Sequence, residues 1–194
     1  RVSDSGPPTS AWAVVNPNRT DCLYPDKAIA GCMVSWLVMS FLRQRLIDQG
    51  LLVPTSPKLG DLLDYVALGT VADCVSMGSS ETNRAVVKVG LSLIARQQRP
   101  CWQVAISQLT RAPRDLNAEL LAFQLAPRLN ARGRIAHSLR GYEYLVATSV
   151  SGATNAFLDL DADNKTRRAI EKTMVEQAKP LAKRQHLQGG LVLC

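Results

Sequence analysis

Apolar and polar positions along this chain recur mostly at helical period, with short apolar runs near the two ends. After the polar, Pro-containing stretch Arg1 to Ser10, the run Ala11 to Val15 predicts a strand, and Asn16-Pro17-Asn18-Arg19 supplies turn chemistry behind it. Tyr24-Pro25-Asp26 predicts a helix start, with Asp26 as N-cap, for an apolar helix that runs to about Gln49 and stops at Gly50. Gly31, Ser35 and Ser40 interrupt its apolar run and Arg43 and Arg45 end it. It therefore falls short of a membrane span and reads as a buried core helix containing Trp36, Met39 and Phe41.

Pro54 and Pro57 mark a loop, after which Leu59, Leu62, Leu63, Val66 and Ala67 recur at helical spacing toward Gly69, with Asp61 and Asp64 at the edge of that face. Further helices are predicted over Asn83 to Gln97 and Trp102 to Leu109. Another, from Ala118 to Ala126, is capped by Asn117 and ended or kinked by Pro127. Trp102 and Phe123 read as core, although both flank a region where aromatic faces could stack on bases. Ala156, Leu160, Asn164, Ala169, Ile170 and Met174, with dense charge between them, predict one long exposed helix from Gly152 to about Arg184, bent near Pro180. Gly190 to Cys194 reads as the start of a strand. With a strand run near each end and helices between, the expectation is an internal fragment of a larger α/β protein.

Composition adds a partner class. The formal charge is +7, and it is not evenly spread: residues 84–140 hold ten Arg or Lys against only Asp115 and Glu119. Nine of the ten are Arg, which forms bidentate hydrogen bonds to phosphate oxygens, so the excess points to a phosphodiester backbone. The densest part is Pro127-Arg128-Leu129-Asn130-Ala131-Arg132-Gly133-Arg134, with three Arg in seven residues and a Gly that permits close approach. His137 follows it as a further candidate phosphate contact, weighed against a solvated His. Five cysteines without a CxxC spacing fit reduced thiols in a cytoplasmic protein, and two distant histidines lacking a Cys partner argue against zinc.

The second informative stretch is Leu62 to Val75. Asp73 stands there among Val71, Ala72, Cys74 and Val75, where a carboxylate invites a positive partner such as a hard metal ion, or serves simply as a helix-end cap.

At this point the sequence resembles a known family. Val15-Asn16-Pro17-Asn18, Ala30-Gly31, Leu63-Asp64, the run Gly69-Thr70-Val71-Ala72-Asp73, Asn83-Arg84 and the Pro127 to Arg134 cluster resemble, in order and spacing, the RecJ-type single-stranded-DNA exonucleases of the DHH phosphoesterase superfamily. Asn164-Lys165-Thr166-Arg167-Arg168 with Ile170-Glu171 resembles that family's linker helix.

The resemblance implies residues 1–76 as the C-terminal portion of a DHH-type catalytic domain and 77–150 as a basic helical region completing it. It further implies 151–186 as a linker helix and 187–194 as the start of a truncated DHHA1-type domain. It also implies 5′ to 3′ hydrolysis of single-stranded DNA in repair and recombination, with Mn2+ or Mg2+ in a two-metal site. Asp73 is a metal ligand in that reading, and most other ligands lie upstream of this fragment, which by itself lacks a complete active site. Arg128 and Arg134 are the implied phosphate clamps, with Asn130 contacting the strand or fixing the turn, and Arg132 and Arg84 in support. A helicase or a single-strand-binding protein is a candidate partner. The alternatives are a phosphodiesterase of short oligonucleotides or cyclic dinucleotides, and a catalytically inert DNA-binding relative.

Overall fold

The computed structural model describes residues 6–111, 115–131 and 139–187, with side chains to residue 183. The described residues are helical, with loops between and no strand among them: α1 Gly31–Asp48, α2 Leu63–Ala72 entered through a 3-10 turn Leu59–Leu62, α3 Glu81–Ala95, α4 Pro100–Leu109, α5 Ala118–Leu120, α6 Ala126–Ala131, α7 Leu139–Leu145 and α8 Val150–Leu187. The α/β expectation is corrected to this extent. Ala11 to Val15 forms no strand, and Trp12 and Val15 are exposed. An extended run needs a neighbouring strand to receive its backbone hydrogen bonds, and the described residues provide none. Gly190 to Cys194 lies outside the described residues.

Two compact units divide the chain, one from 1–98 and 106–124, the other from 99–105 and 125–194. In the first, α2 packs against α1 and α3 around Ile29, Met33, Val66, Ala67 and Val86. Two glycines allow the close approach. A Cβ on Gly90 of α3 would stand 2.1 Å from the Cβ of Ala67 and 2.6 Å from the carbonyl oxygen of Leu63, and one on Gly69 of α2 would stand 2.6 Å from the Sγ of Cys32. Gly69 therefore lies inside α2 as a packing residue, with the helix running past it to Ala72.

Helix α1 departs from expectation at its start and on its surface, but not at its end. Gly50 takes φ +71°, and Gly50 N–H to Ile47 and Leu51 N–H to Leu46 close a Schellman motif. The start is Gly31, capped by backbone geometry at Ala30, and not at Asp26. Asp26 instead accepts from the Ala28 N–H at 3.0 Å and from the Ser80 hydroxyl. Of the α1 residues only Met33 is buried. Met39 and Phe41, expected in the core, are 49% and 69% exposed, while Trp36 is half-buried and donates its Nε1–H to Leu59 at 2.8 Å. A helix with apolar residues on most of its faces offers more surface than α2 and the 3-10 turn Leu59–Leu62 cover. Asp64, expected at an edge, is buried and accepts from the Tyr65 N–H at 2.8 Å.

In the second unit Tyr144 of α7 is fully buried, donates its hydroxyl to the Cys101 carbonyl and packs on Phe157 with ring centroids 5.8 Å apart. Ala153, Ala156, Phe157, Leu160 and Asn164 form the buried stripe of α8; beyond Asn164 no described side chain is buried, and Ile170 and Met174 are exposed. The helix is continuous through Pro180, whose missing N–H leaves one carbonyl to water on an exposed segment.

Asn117 caps α5 as expected, accepting from the Leu120 N–H at 2.8 Å. Pro127 does not end the helix there. The turn before it, Leu121–Leu125, widens to a π-helix, and α6 continues through Pro127 to Ala131. A π turn carries the chain past the hydrogen bond that proline cannot donate. Trp102 is buried as expected, whereas Phe123, on the π turn, is 75% exposed. Cys22, Cys32, Cys74 and Cys101 are free thiols, and no helix among the described residues is long and apolar enough to cross a membrane.

Candidate functional site

Asp73 occupies the C-cap of α2, its N–H bonded to the Gly69 carbonyl at 3.0 Å and its side chain exposed. Carbonyl dipoles make this the negative end of the helix, where a carboxylate is disfavoured by about 0.3–1 kcal/mol. No basic residue stands in the last turn, and no ion pair reaches Asp73 among the described residues. Cys74 follows in the left-handed region at φ +53°, its N–H bonded to the Val71 carbonyl, so a non-glycine residue turns the chain sharply after the aspartate. Nearby on α1, burial pushes the Cys32 thiol up, with the charge of Asp73 acting in the same direction.

An exposed carboxylate, at a negative helix end and without a cation paired to it among the described residues, suits a hard divalent ion. It supplies one ligand only: no group of three or more His, Cys, Asp or Glu that could hold a metal occurs among the described residues. The residues present therefore fit a share of a metal site.

The connection from α2 to α3 is bound tightly to its surroundings. Asn83, 1% exposed, donates Nδ2 to the carbonyls of Ser76 and Ala28, both at 3.0 Å. Ser80 caps α3 by accepting from the Asn83 N–H at 3.0 Å and donates its hydroxyl to Asp26, which holds that carboxyl below the usual range. Arg84, expected on nucleic acid, donates Nη1 to the Met77 and Gly78 carbonyls, and its side chain is about half exposed. Sequence reasoning found Asn83 only as half of a motif pair. A buried amide contacting residues seven and fifty-five positions away leaves no periodic signal.

Of the basic cluster, Arg128 and Asn130 are described, whereas Arg132, Arg134 and His137 lie outside the described residues. Asn130 is exposed. Arg128 is 20% exposed and bonds Asp161 of α8 through Nε and Nη2, both at 2.9 Å, with its guanidinium 5.7 Å from the centre of the Phe157 ring. Lys165 reaches the other oxygen of Asp161 at 3.0 Å. That hydrogen bond, with those of Arg128, holds the Asp161 carboxyl below its ordinary value. Arg140 likewise faces Glu143 at 3.1 Å and Asp159 at 3.7 Å. Part of the arginine excess is thus neutralised by α8, where the spacing Asp159, Asp161, Asp163 is the available sequence signal.

No family model matches the chain. It is 40% identical over 173 residues to the single-stranded-DNA-specific exonuclease RecJ of Dickeya dadantii, covering 87% of this chain and 30% of that protein. It is 38% identical over 193 residues to the RecJ of Escherichia coli, covering 95% and 33%. Among solved structures it resembles RecJ of Thermus thermophilus in complex with Mg2+, with a TM-score of 0.67 and 26% identity over 81% of this chain and 23% of that one. It also resembles an exonuclease RecJ bound to manganese, with a TM-score of 0.63 and 27% identity over 77% and 35%. The chain spans about a third of the length of the curated relatives it matches.

Proposed function

We propose, from the premise that this chain belongs to the RecJ family, that it is an internal segment of a Mn2+- or Mg2+-dependent exonuclease acting on single-stranded DNA. The observation that carries the proposal is Asp73: the family's Gly69 to Asp73 run ends in an exposed carboxylate on a negative helix end, with no cation paired to it among the described residues. Bound divalent ions make water nucleophilic and stabilise the leaving oxygen of a phosphodiester. Asp73 holds one of them in this reading, and most of the other ligands of a two-metal site come from upstream of this segment.

The finer assignments belong to the same proposal. Arg128, Arg132, Arg134, Asn130 and Arg84 contact the strand, with Arg128 shared between phosphate and Asp161. Polarity is 5′ to 3′, in DNA repair and recombination in the cytoplasm, with a helicase or single-strand-binding protein as partner. The chain supplies the end of a DHH-type catalytic domain, over 1–76 and 77–150. The helix over 151–186 links it to a second, DHHA1-type domain begun by 187–194. The test is Asp73→Ala in the full-length protein: hydrolysis of a single-stranded oligonucleotide is lost and binding of it in EDTA is kept. Equal loss of both removes Asp73 from the metal site.

A further inference from the structure

The eight residues from Asp73 to Ser80 join α2 to α3 without helix or strand of their own. They begin with the carboxylate assigned to the metal and with the left-handed Cys74. Their remaining course is fixed largely by side chains reaching in from α3. One nitrogen, Nδ2 of Asn83, donates to the Ser76 carbonyl, three residues after Asp73, and to the Ala28 carbonyl in the loop that enters α1. The capping of α3 itself is done by Ser80, so the Asn83 side chain is not needed to start the helix. Its amide joins two backbone segments distant in sequence, and its Oδ1 has no hydrogen-bond partner among the described residues. Only the donors of this amide are used, and an aspartate of the same shape has none.

We infer that Asn83 is a positioning residue for Asp73: by bolting the Asp73–Ser80 connection to the loop before α1, its amide sets the affinity of the site for Mn2+ or Mg2+. The inference rests on the reading of Asp73 as a metal ligand. Metal ligation tolerates errors of only a few tenths of an ångström in ligand position, so a carboxylate at the head of a connection depends on what holds that connection. Residues that orient ligands without touching the metal commonly change metal affinity about 10–100-fold.

The test compares full-length wild-type protein with Asn83→Asp and with Asp26→Ala. The second variant loosens the connection at Ser80 and leaves Asn83 and Asp73 in place. Mn2+ binding is titrated directly, from the electron paramagnetic resonance signal of free Mn2+, alongside the Mn2+ dependence of oligonucleotide hydrolysis. Asn83→Asp is expected to bind Mn2+ at least about tenfold more weakly and Asp26→Ala less so, with hydrolysis restored at high Mn2+ and single-strand binding in EDTA unchanged. If Asn83→Asp does not fold, Asn83→Ser, which is too short to bridge both carbonyls, carries the test with the same expected loss of Mn2+ affinity. Variants that take up Mn2+ as the wild type does overturn the inference and leave the Asp73 reading standing, as does a loss of hydrolysis that Mn2+ fails to restore. A wild-type protein that takes up no Mn2+ overturns both.

Discussion

Arg128 and Asp161 meet across α6 and α8 through two guanidinium nitrogens, each 2.9 Å from the same carboxylate oxygen, with both side chains 20% exposed. A pair at this depth contributes more than an exposed one and less than a fully buried one, about 1–3 kcal/mol when one partner is removed. It also gives the proposed phosphate clamp an internal competitor. Arg128→Ala and Asp161→Ala are therefore expected to lose similar stability in urea unfolding but to part on DNA. Arg128→Ala weakens single-strand binding and lowers its salt slope by about 0.7, whereas Asp161→Ala keeps or tightens binding. If both variants bind equally poorly, Arg128 is a packing residue and not a clamp.

The same pair makes a prediction for acid. Lys165 and Arg128 hold the Asp161 carboxyl below its ordinary value, and Ser80 does the same to Asp26. A carboxyl depressed in the folded state contributes stability that is complete above the unfolded value, about 3.9, and is lost as pH falls through the folded one. Stability of the wild type is expected to fall from about pH 4 downward, and Asp161→Asn to be less stable at pH 7 with a shallower acid slope. Thermal melts between pH 2.5 and 7 decide this, and parallel slopes refute it.

Glycines on α2 and α3 allow a ranked prediction. A methyl on Gly90 meets the Ala67 Cβ and the Leu63 backbone, neither of which can rotate away, whereas a methyl on Gly69 meets the thiol of Cys32 first and its Cβ at 3.2 Å. Gly90→Ala is expected to cost about 1–3 kcal/mol despite the better helix propensity of alanine. Gly69→Ala should cost less, and less again in a Cys32→Ala background. Denaturant midpoints give the order, and equal losses at the two glycines would contradict the packing described.

Signals confined to a few neighbouring residues were legible in the sequence: the Gly50 stop, the Asn117 cap, the reach of α8, and Trp102 in the core. The strand at 11–15 and the burial of Met39 and Phe41 failed because each depends on a partner surface that the described residues do not supply. Phe123 failed for a local reason, the π turn that admits Pro127 and sets that ring outward. For the candidate site, the arginine cluster stood out by residue type, whereas Asp73 read alone was as well explained as a helix-end cap and was singled out only by the family resemblance of its motif. The contacts of Asn83 and the Arg128–Asp161 pair were hidden, since they join positions 7 to 55 residues apart.

In the proposed reading, Asp73 sets function against stability at one position. Without a bound cation its charge opposes the carbonyl dipoles at the end of α2. Asp73→Asn removes that charge and keeps the shape, so in EDTA the variant is expected to be more stable than the wild type, by about 0.3–1 kcal/mol. Adding Mn2+ is expected to reverse the order, because an ion that binds only the folded wild type raises its stability by mass action while the amide, a poor ligand, gains little. Melts of the full-length proteins in EDTA and in a Mn2+ series measure both halves. A variant that is no more stable in EDTA refutes the dipole argument. Equal Mn2+ stabilisation of the two proteins refutes the ligand role of Asp73.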